Sequence, residues 1–517
     1  MQRKKTRIVR PSPVPAKQDS QADDSRLWLI LILALAIVLR LYALGSIPHG
    51  FTNDEAQDGL SGRQAIEQGL RVFYPENNGR EGLYINLTTP FLLLLGNTVF
   101  AIRLPSAIFG ILTVWLTYLL GKRLFSRRVG LLGALFVATS TWHLFNSRLT
   151  SRANAAPMFL ALTLYLMFLT ADRIRAGRPY LASALLAGVA YGLGFHTYTS
   201  FRLTPALIFA VSVYFLVQAW KTGFWRQYWL AAAGFAGAAA AVVAPLALYF
   251  WNHPEMFSKR AAQVAAWAEP NAGSRIAGNC WAVFQMFFWR GDTDWKHNIS
   301  GERELFLPVA ILFAVGLGIA LWRIGSRTRP AYLLMLGWMA AGALPSILTM
   351  DKVHALRTSL MIPAVFLVAA IGGERIYSWL EQNMPRGIGI AVATCFVLVV
   401  CYEPCKTYFQ DWATDPHVAH DFEEWLVDVA TEIRDAPRQP AKYVAIPEFI
   451  FGVPEVPQKI LYLTQTATEA DQRRANIHYL IRDPNDKSEP REFCSRVKAE
   501  HPREQVFCVA RDVPLRP

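Results

Sequence analysis

Long apolar runs constrain this chain more than any other feature. A helix that crosses about 30 Å of hydrocarbon needs roughly 17–25 apolar residues, because lipid offers no partner for a backbone N–H or C=O and the helix must satisfy all of them itself. Eleven segments of the 517-residue sequence meet or approach that length, beginning near Leu27, Val99, Val129, Ala155, Tyr180, Leu203, Tyr228, Leu305, Ala331, Thr358 and Gly387. A further run, Leu83 to Gly96, is too short to span and reads as an interfacial or re-entrant helix. The expected fold class is an all-α polytopic membrane protein with about eleven transmembrane helices.

Charge sets the orientation. Only 18% of residues are charged, against about a quarter in a soluble domain. The net charge of +13 would suit nucleic acid, but Lys and Arg stand in short clusters between apolar runs. That is the pattern of cytoplasmic loops, so no nucleic-acid partner is expected. With a cytoplasmic N-terminus and eleven alternating helices, the inner segments hold 21 Lys+Arg against 6 Asp+Glu, and the outer loops 14 against 13. Clusters such as Lys122, Arg123, Arg127 and Arg128 all fall inside. Eleven helices place the C-terminus outside the cell.

Residues 1–26 read as a disordered basic cytoplasmic tail with no signal-peptide cleavage site. Residues 27–402 form the membrane module, with long outer loops at 45–98 and 252–304, and residues 403–517 a small extracytoplasmic α/β domain. In the last, a helix-like stretch around Asp421 to Arg434 is followed by β-type runs at Tyr443–Ile446, Ile477–Ile481 and Val506–Ala510. Cys494 and Cys508 fit either one disulfide or two unpaired buried thiols. The expected location is a bacterial plasma membrane.

The first outer loop opens with Pro48-His49-Gly50-Phe51-Thr52-Asn53-Asp54-Glu55, two carboxylates at the membrane surface. A carboxylate near a low-dielectric boundary gains proton affinity and can act as a general base. Asp54 equally suits a solvated loop acid or the N-cap of a helix starting at Ala56. Arginines supply the opposite sign: Arg80, Arg103, Arg148, Arg152, Arg202 and, three residues after His354, Arg357 all stand at outer helix ends. Each alone is explained by snorkelling, whereas several together can converge on a phosphate, which Arg binds through two parallel hydrogen bonds. Arg40 lies inside the outer half of the first helix and His196 at the outer end of the fifth. His253, Glu255, Asp292, Asp294 and His297 lack ligand spacing, so neither a metal site nor a cofactor is expected.

The order of motifs carries a resemblance. Helix one ends in Arg-Leu-Tyr and is followed by Asp-Glu-Ala, Arg-Glu-Gly-Leu-Tyr and Ala-Ile-Arg-Leu-Pro-Ser-Ala. Then come the basic turn Gly-Lys-Arg-Leu-Phe-Ser-Arg-Arg and Trp-His-Leu-Phe-Asn-Ser-Arg. This resembles the GT-C membrane glycosyltransferases, a group that includes the protein O-mannosyltransferases and the bacterial aminoarabinose-lipid A transferases. It is strongest over residues 27–210. The resemblance implies transfer of a sugar from a polyprenyl-phosphate donor to a lipid, glycan or protein acceptor at the outer membrane face. Carried over, the catalytic acid falls on Asp54 with Glu55 beside it. Arg80, Tyr84 and Arg357, with His354, fall where the family meets the donor phosphate. Arg40, Arg103, Arg148, Arg152, His196 and Arg202 remain as further candidate substrate-binding residues.

Two departures stand out. Relatives often carry Pro-Pro-Leu where this chain has Glu81-Gly82-Leu83, and an acid after helix three where it reads Leu149-Thr150-Ser151-Arg152-Ala153-Asn154. One acid without a nucleophile–acid pair points to inversion at the anomeric carbon. The rival reading is a non-catalytic lipid or polysaccharide transporter, which would need polar groups through the central thirds of the helices, where charges are almost absent.

Overall fold

The computed structural model describes residues 17–257, 266, 271–326, 329–350, 353–447, 455–483 and 485–510. The chain is a multi-pass membrane protein. Among the described residues, eight helices are long and apolar enough to cross a membrane, or nine if the bent pair α5 (Arg127–Thr139) and α6 (Thr141–Arg148) is one span. The expected eleven included two helices that fall short by this measure. In α1 (Lys17–Leu41) the apolar stretch is bracketed by Arg26 and Arg40, and α8 (Leu181–Gly194) has only 14 residues, about 21 Å of rise. Helix α1 also begins ten residues before Leu27, so that 17–26 is helical rather than tail; residues 1–16 lie outside the described residues.

The bundle is organised around α15 (Ile362–Asn383). The most apolar 18 residues of the span Ala355–Asn383 are 94% buried, whereas those of α10 (Trp225–Asn252) and of the span Arg386–Trp412 are 17% buried, so these two edge the bundle. Small residues let α15 approach α12 (Leu307–Trp322) closely, as expected where lipid removes the hydrophobic drive between helices. A Cβ at Gly316 would run into the Val368 carbonyl, and one at Gly372 into the Leu312 carbonyl.

The short apolar run is helix α3 (Gly82–Leu95), which leaves Leu93 and Leu94 exposed. It packs against α2 (Asn53–Gln68) and the foot of α4 (Val99–Leu124). The last apolar helix, α16 (Arg386–Lys406), continues into a π-helical turn, Thr407–Trp412. The Tyr408 and Trp412 rings of that turn lie 5.3 and 4.9 Å from the Phe145 ring, so the chain stays with the bundle past residue 403.

The polar C-terminal stretch holds a parallel sheet in the order β4 (Ile477–Ile481), β3 (Lys442–Ile446), β5 (Gln505–Cys508). Parallel strands need both faces covered. Helix α18 (Glu424–Asp435) covers one face with Leu426, Ala430 and Ile433, and α21 (Pro490–Glu500) the other with Phe493 and Val497. A Cys494–Cys508 disulfide fastens α21 to β5. The sheet unit docks on the first loop: α19 (Glu455–Leu463) packs on α2, the Tyr462 ring stacks on Phe51 at 5.4 Å, and Phe51 N donates to Phe422 O.

Candidate active site around the first loop

Helix α2 begins at Asn53, three residues before the Ala56 start that went with an Asp54 cap, and its cap is Thr52. The Thr52 hydroxyl accepts from Glu55 N at 3.2 Å and the Glu55 carboxylate accepts from Thr52 N at 3.0 Å. Two orphan donors of the first turn are thereby satisfied reciprocally. Asp54 is left in the first turn, exposed, where it accepts a hydrogen bond from Asn77 Nδ2 at 2.6 Å. Asn77 is held there by a tight hairpin, β1 (Phe73–Tyr74) against β2 (Arg80–Glu81), whose turn takes positive φ at Asn77, Asn78 and Gly79. Asn tolerates this region better than most residues, and at Gly79 a Cβ would also meet the Phe73 ring.

The other carboxylates of the loop are each matched to arginine. Glu55, 1% exposed, faces Arg103 through two hydrogen bonds of 2.7 and 3.1 Å. Asp58 lies one turn beyond Asp54 and is bonded at 2.5 Å to Arg80, whose other amino group donates to Ser61. Burial pushes the Asp58 carboxyl up, opposed by Arg80 and Arg152 and reinforced by the charge of Asp54. Those four groups therefore share one electrostatic neighbourhood. Glu81 is buried and accepts from Arg152 at 3.1 Å and from Arg202 at 3.0 Å. Both arginines keep about a fifth of their side chains exposed. Arg202 also lies over the Phe250 and Phe257 rings. Ser151 and Ser200, near them in sequence, carry buried hydroxyls without a hydrogen-bond partner among the described residues.

Three of the candidate arginines hold backbone. Arg40 donates to Val137 O and Ala138 O, the carbonyls freed by the 58° bend between α5 and α6, and contacts His143 Nδ1 at 2.9 Å. Arg148 in turn donates to Leu39 O, Arg40 O, Ala43 O and Ile47 O at the end of α1. Besides Glu55, Arg103 binds Leu44 O, Pro48 O and Gly50 O. Arg80, expected at the donor phosphate, is likewise 1% exposed and paired with Asp58. Tyr84 is buried with its hydroxyl on Ile102 O, and His196 is half-buried and bonded to Val242 O.

His354 and Arg357 sit on a separate segment. The one-turn helix α14 (Ala355–Thr358) packs against the 3-10 turn Arg152–Asn154, bringing that segment to the side of the loop that carries Arg152. Asp292 fixes it by accepting from Ala355 N at 2.7 Å, with His354 Nδ1 at 3.7 Å and the His297 ring 5.1 Å from the His354 ring. Arg357 is half-buried and donates to Thr349 Oγ1 at 2.7 Å. Burial raises the Asp292 carboxyl; it raises Glu304 further, helped by the charge of Asp292. Among the described residues no three His, Cys, Asp or Glu side chains are grouped so as to hold a metal ion.

Sequence reasoning did not single out Asn77, Asp58 or Glu81 as site residues. The signals were local: the Asn77-Asn78-Gly79 turn, the four-residue step from Asp54 to Asp58, and an acid directly after Arg80.

The model of the dolichyl-phosphate-mannose-protein mannosyltransferase family matches residues 84–249. No curated protein matches the sequence. Among solved structures, ArnT from Cupriavidus metallidurans bound to undecaprenyl phosphate superposes with a TM-score of 0.55 at 17% identity, over 93% of this chain and 89% of that one. The archaeal oligosaccharyltransferase AglB from Archaeoglobus fulgidus, in complex with an inhibitory peptide and a dolichol-phosphate, gives 0.54 at 14% identity, over 89% and 69%. The chain has the GT-C fold and resembles the membrane glycosyltransferases of the O-mannosyltransferase and ArnT type.

Proposed function

We propose that this chain is a membrane glycosyltransferase that moves a sugar from a polyprenyl-phosphate carrier to a lipid, glycan or protein acceptor, with Asp54 as general base. One observation carries the reading. Of the six acids on the first loop, Glu55, Asp58 and Glu81 are buried and paired with arginine and Glu67 and Glu76 pair with Arg63 and Arg71 at the surface, while Asp54 is exposed and bonded only to an amide. A paired, buried carboxylate has lost its capacity to accept a proton from a substrate. Asp54 has kept it.

In the proposed reaction the acceptor O–H gives its proton to Asp54 as its oxygen attacks the anomeric carbon. The bond from that carbon to the phosphate oxygen breaks, and the departing phosphate leaves with the electron pair. A phosphate is already a good leaving group, so cations that hold it matter more than an acid that protonates it. Arg152 and Arg202 would take this role: both are partly exposed on Glu81, and Arg152 also acts on the Asp58 carboxyl, with Arg357 on the adjoining segment. The unpartnered Ser151 and Ser200 hydroxyls suit a polar ligand in the same region. Arg80, Arg103, Arg40 and Arg148 act as positioning residues. Attack opposite the departing phosphate inverts the anomeric carbon.

The ArnT and AglB structures carry an undecaprenyl phosphate and a dolichol-phosphate, which supports a lipid-phosphate donor here. The loop charges support a cytoplasmic N-terminus and an extracytoplasmic C-terminal unit. The Cys494–Cys508 disulfide suits an oxidising compartment, in keeping with a bacterial plasma membrane. The test is incubation of the purified chain with a panel of polyprenyl-phosphate sugars, following release of the carrier and binding of polyprenyl phosphate alone. Release from at least one donor is expected. A folded protein that neither releases nor binds the carrier would end the reading.

A further inference from the structure

A polar cavity lies away from Asp54, where the C-terminal sheet unit meets the far ends of α2 and α3. It has a volume of about 380 Å³. Five cations line it, Arg63, Arg434, Arg438, Lys442 and Arg474, against the single carboxylate of Asp471. Arg63 stands nine residues after Asp54 on α2, roughly 13 Å along the helix axis, and Asp54 is not among the lining residues.

The charges within it do not cancel. Asp471 stands in the helical turn capped by Thr468, whose hydroxyl donates to its carboxylate at 2.8 Å, and is shared between Arg63 at 3.5 Å and Arg474 at 3.7 Å. Arg63 and Arg434 have one further acid each, Glu67 and Asp435. Lys442 is only 2% exposed and points its ammonium at the α18 carbonyls of Ile433 and Arg434. Burial, then the charge of Arg438, holds that ammonium below its ordinary range. The Arg438 side chain has no hydrogen bond or ion pair to any described residue. An anion seated here would meet unopposed positive charge.

The membrane side of the cavity names the kind of anion. Its lining includes Leu92, Gly96 and Asn97 at the end of α3. The intervening Leu93, Leu94 and Leu95 are 68%, 80% and 44% exposed. Bare leucines beside a basic cavity are the arrangement that acyl chains and a charged headgroup would fill together. We infer that this cavity binds the anionic, phosphate-bearing headgroup of a membrane lipid, whose acyl chains lie along Leu93–Leu95. The site joins the C-terminal unit to the membrane module through one lipid. It does not depend on the proposed transfer reaction, and its test reads binding alone.

The full chain is purified in an uncharged detergent and titrated with phosphatidic acid, phosphatidylglycerol, phosphatidylcholine and inorganic phosphate. Retained lipid is counted by native mass spectrometry, and the unfolding temperature is followed in parallel. Phosphatidic acid and phosphatidylglycerol should bind saturably and raise the unfolding temperature; phosphatidylcholine should not. Arg438 and Arg474 are both exposed, so the double variant R438E/R474E should fold and should bind the anionic lipids roughly tenfold or more weakly. The milder Arg438→Gln, which needs no charge reversal, should weaken binding in the same direction and serves if the double variant unfolds. Arg473→Glu, a neighbouring charge that pairs with Glu469 and does not line the cavity, should leave binding unchanged. Equal binding by R438E/R474E and the unmodified chain, or equal binding of phosphatidylcholine, would overturn the site. Inorganic phosphate stabilising the protein as well as the lipids do would overturn the lipid assignment and leave a free-anion site.

Discussion

Replacing Asp54 by Asn separates catalysis from structure because the geometry makes the structural cost small. The cap of α2 is Thr52 with Glu55, and neither is touched by Asp54→Asn. An acid in a first helical turn contributes about 0.3–1 kcal/mol through the helix dipole. The hydrogen bond from Asn77 persists, passing from charge-assisted to neutral, a further loss of about 1 kcal/mol at most for an exposed group. Stability should therefore fall by about 1–2 kcal/mol, a small shift in unfolding temperature. Loss of a general base typically costs 10²–10⁴-fold, or about 2.7–5.5 kcal/mol of barrier. Carrier release is measured under saturating donor beside thermal unfolding and binding of polyprenyl phosphate. The expected result is near-normal folding and carrier binding with transfer reduced a hundredfold or more. A stable Asp54→Asn protein that transfers within about threefold of the unmodified chain would refute the reasoning, since every other acid on the loop is paired with arginine.

Arg103→Ala should leave Glu55 buried and unpaired at a cost of about 3–5 kcal/mol, read as loss of folded protein after extraction rather than lower turnover per folded molecule. Arg152→Ala and Arg202→Ala should each raise the KM for the lipid donor about tenfold, the worth of a charged hydrogen bond, with partial rescue by Lys, which lacks the planar fork. Because burial raises the Glu304 carboxyl, the folded protein holds a proton there that the unfolded chain has released, so stability is lost as pH rises from about 4.5 toward the raised value. Thermal unfolding of Glu304→Gln should accordingly show a flatter decline with pH than the unmodified chain. Lys487→Cys, in a background lacking the thiols of Cys280, Cys395, Cys401 and Cys405, should react with an impermeant reagent in intact cells; reaction only after lysis would place the C-terminal unit inside.

The apolar runs gave away most helices, because their signal is local in sequence. Length was less legible: α8 reads as a span by composition, yet the chain turns at Phe195–Thr197 after 14 residues of helix. The acidic stretch was visible too, but not which acid would stay free. A cap was one of the readings open for Asp54, while the folded chain uses the Thr52 hydroxyl, which leaves Glu55 at the third helical position to close the box. The arginines could not be sorted from sequence at all. Arg103 finds its acid 48 residues away, Arg152 finds Glu81 at 71 and Arg202 finds it at 121. Such distances carry no periodicity. Arg40 looked functional because it is an ionisable group inside an apolar helix; its partners are carbonyls that exist only because α5 breaks before α6, and no rule on α1 alone could have announced them.

Those long-range pairs also explain why the loop is built from so many charges. A buried ion pair contributes little net stability, since desolvation cancels most of the attraction, but breaking one is costly. Three such pairs on one loop are a poor way to hold it in place and a good way to forbid other arrangements. Glu55–Arg103 ties the first turn of α2 to the foot of α4, Asp58–Arg80 ties its second turn to the hairpin, and Glu81 ties the hairpin to Arg152 and Arg202. Each pair fixes a different element that borders Asp54. The hairpin they secure is the same one that aims Asn77 at its carboxylate. A base that must meet an acceptor hydroxyl within hydrogen-bond reach gains from such a frame, because a misplacement of about 1 Å can cost a hundredfold in rate.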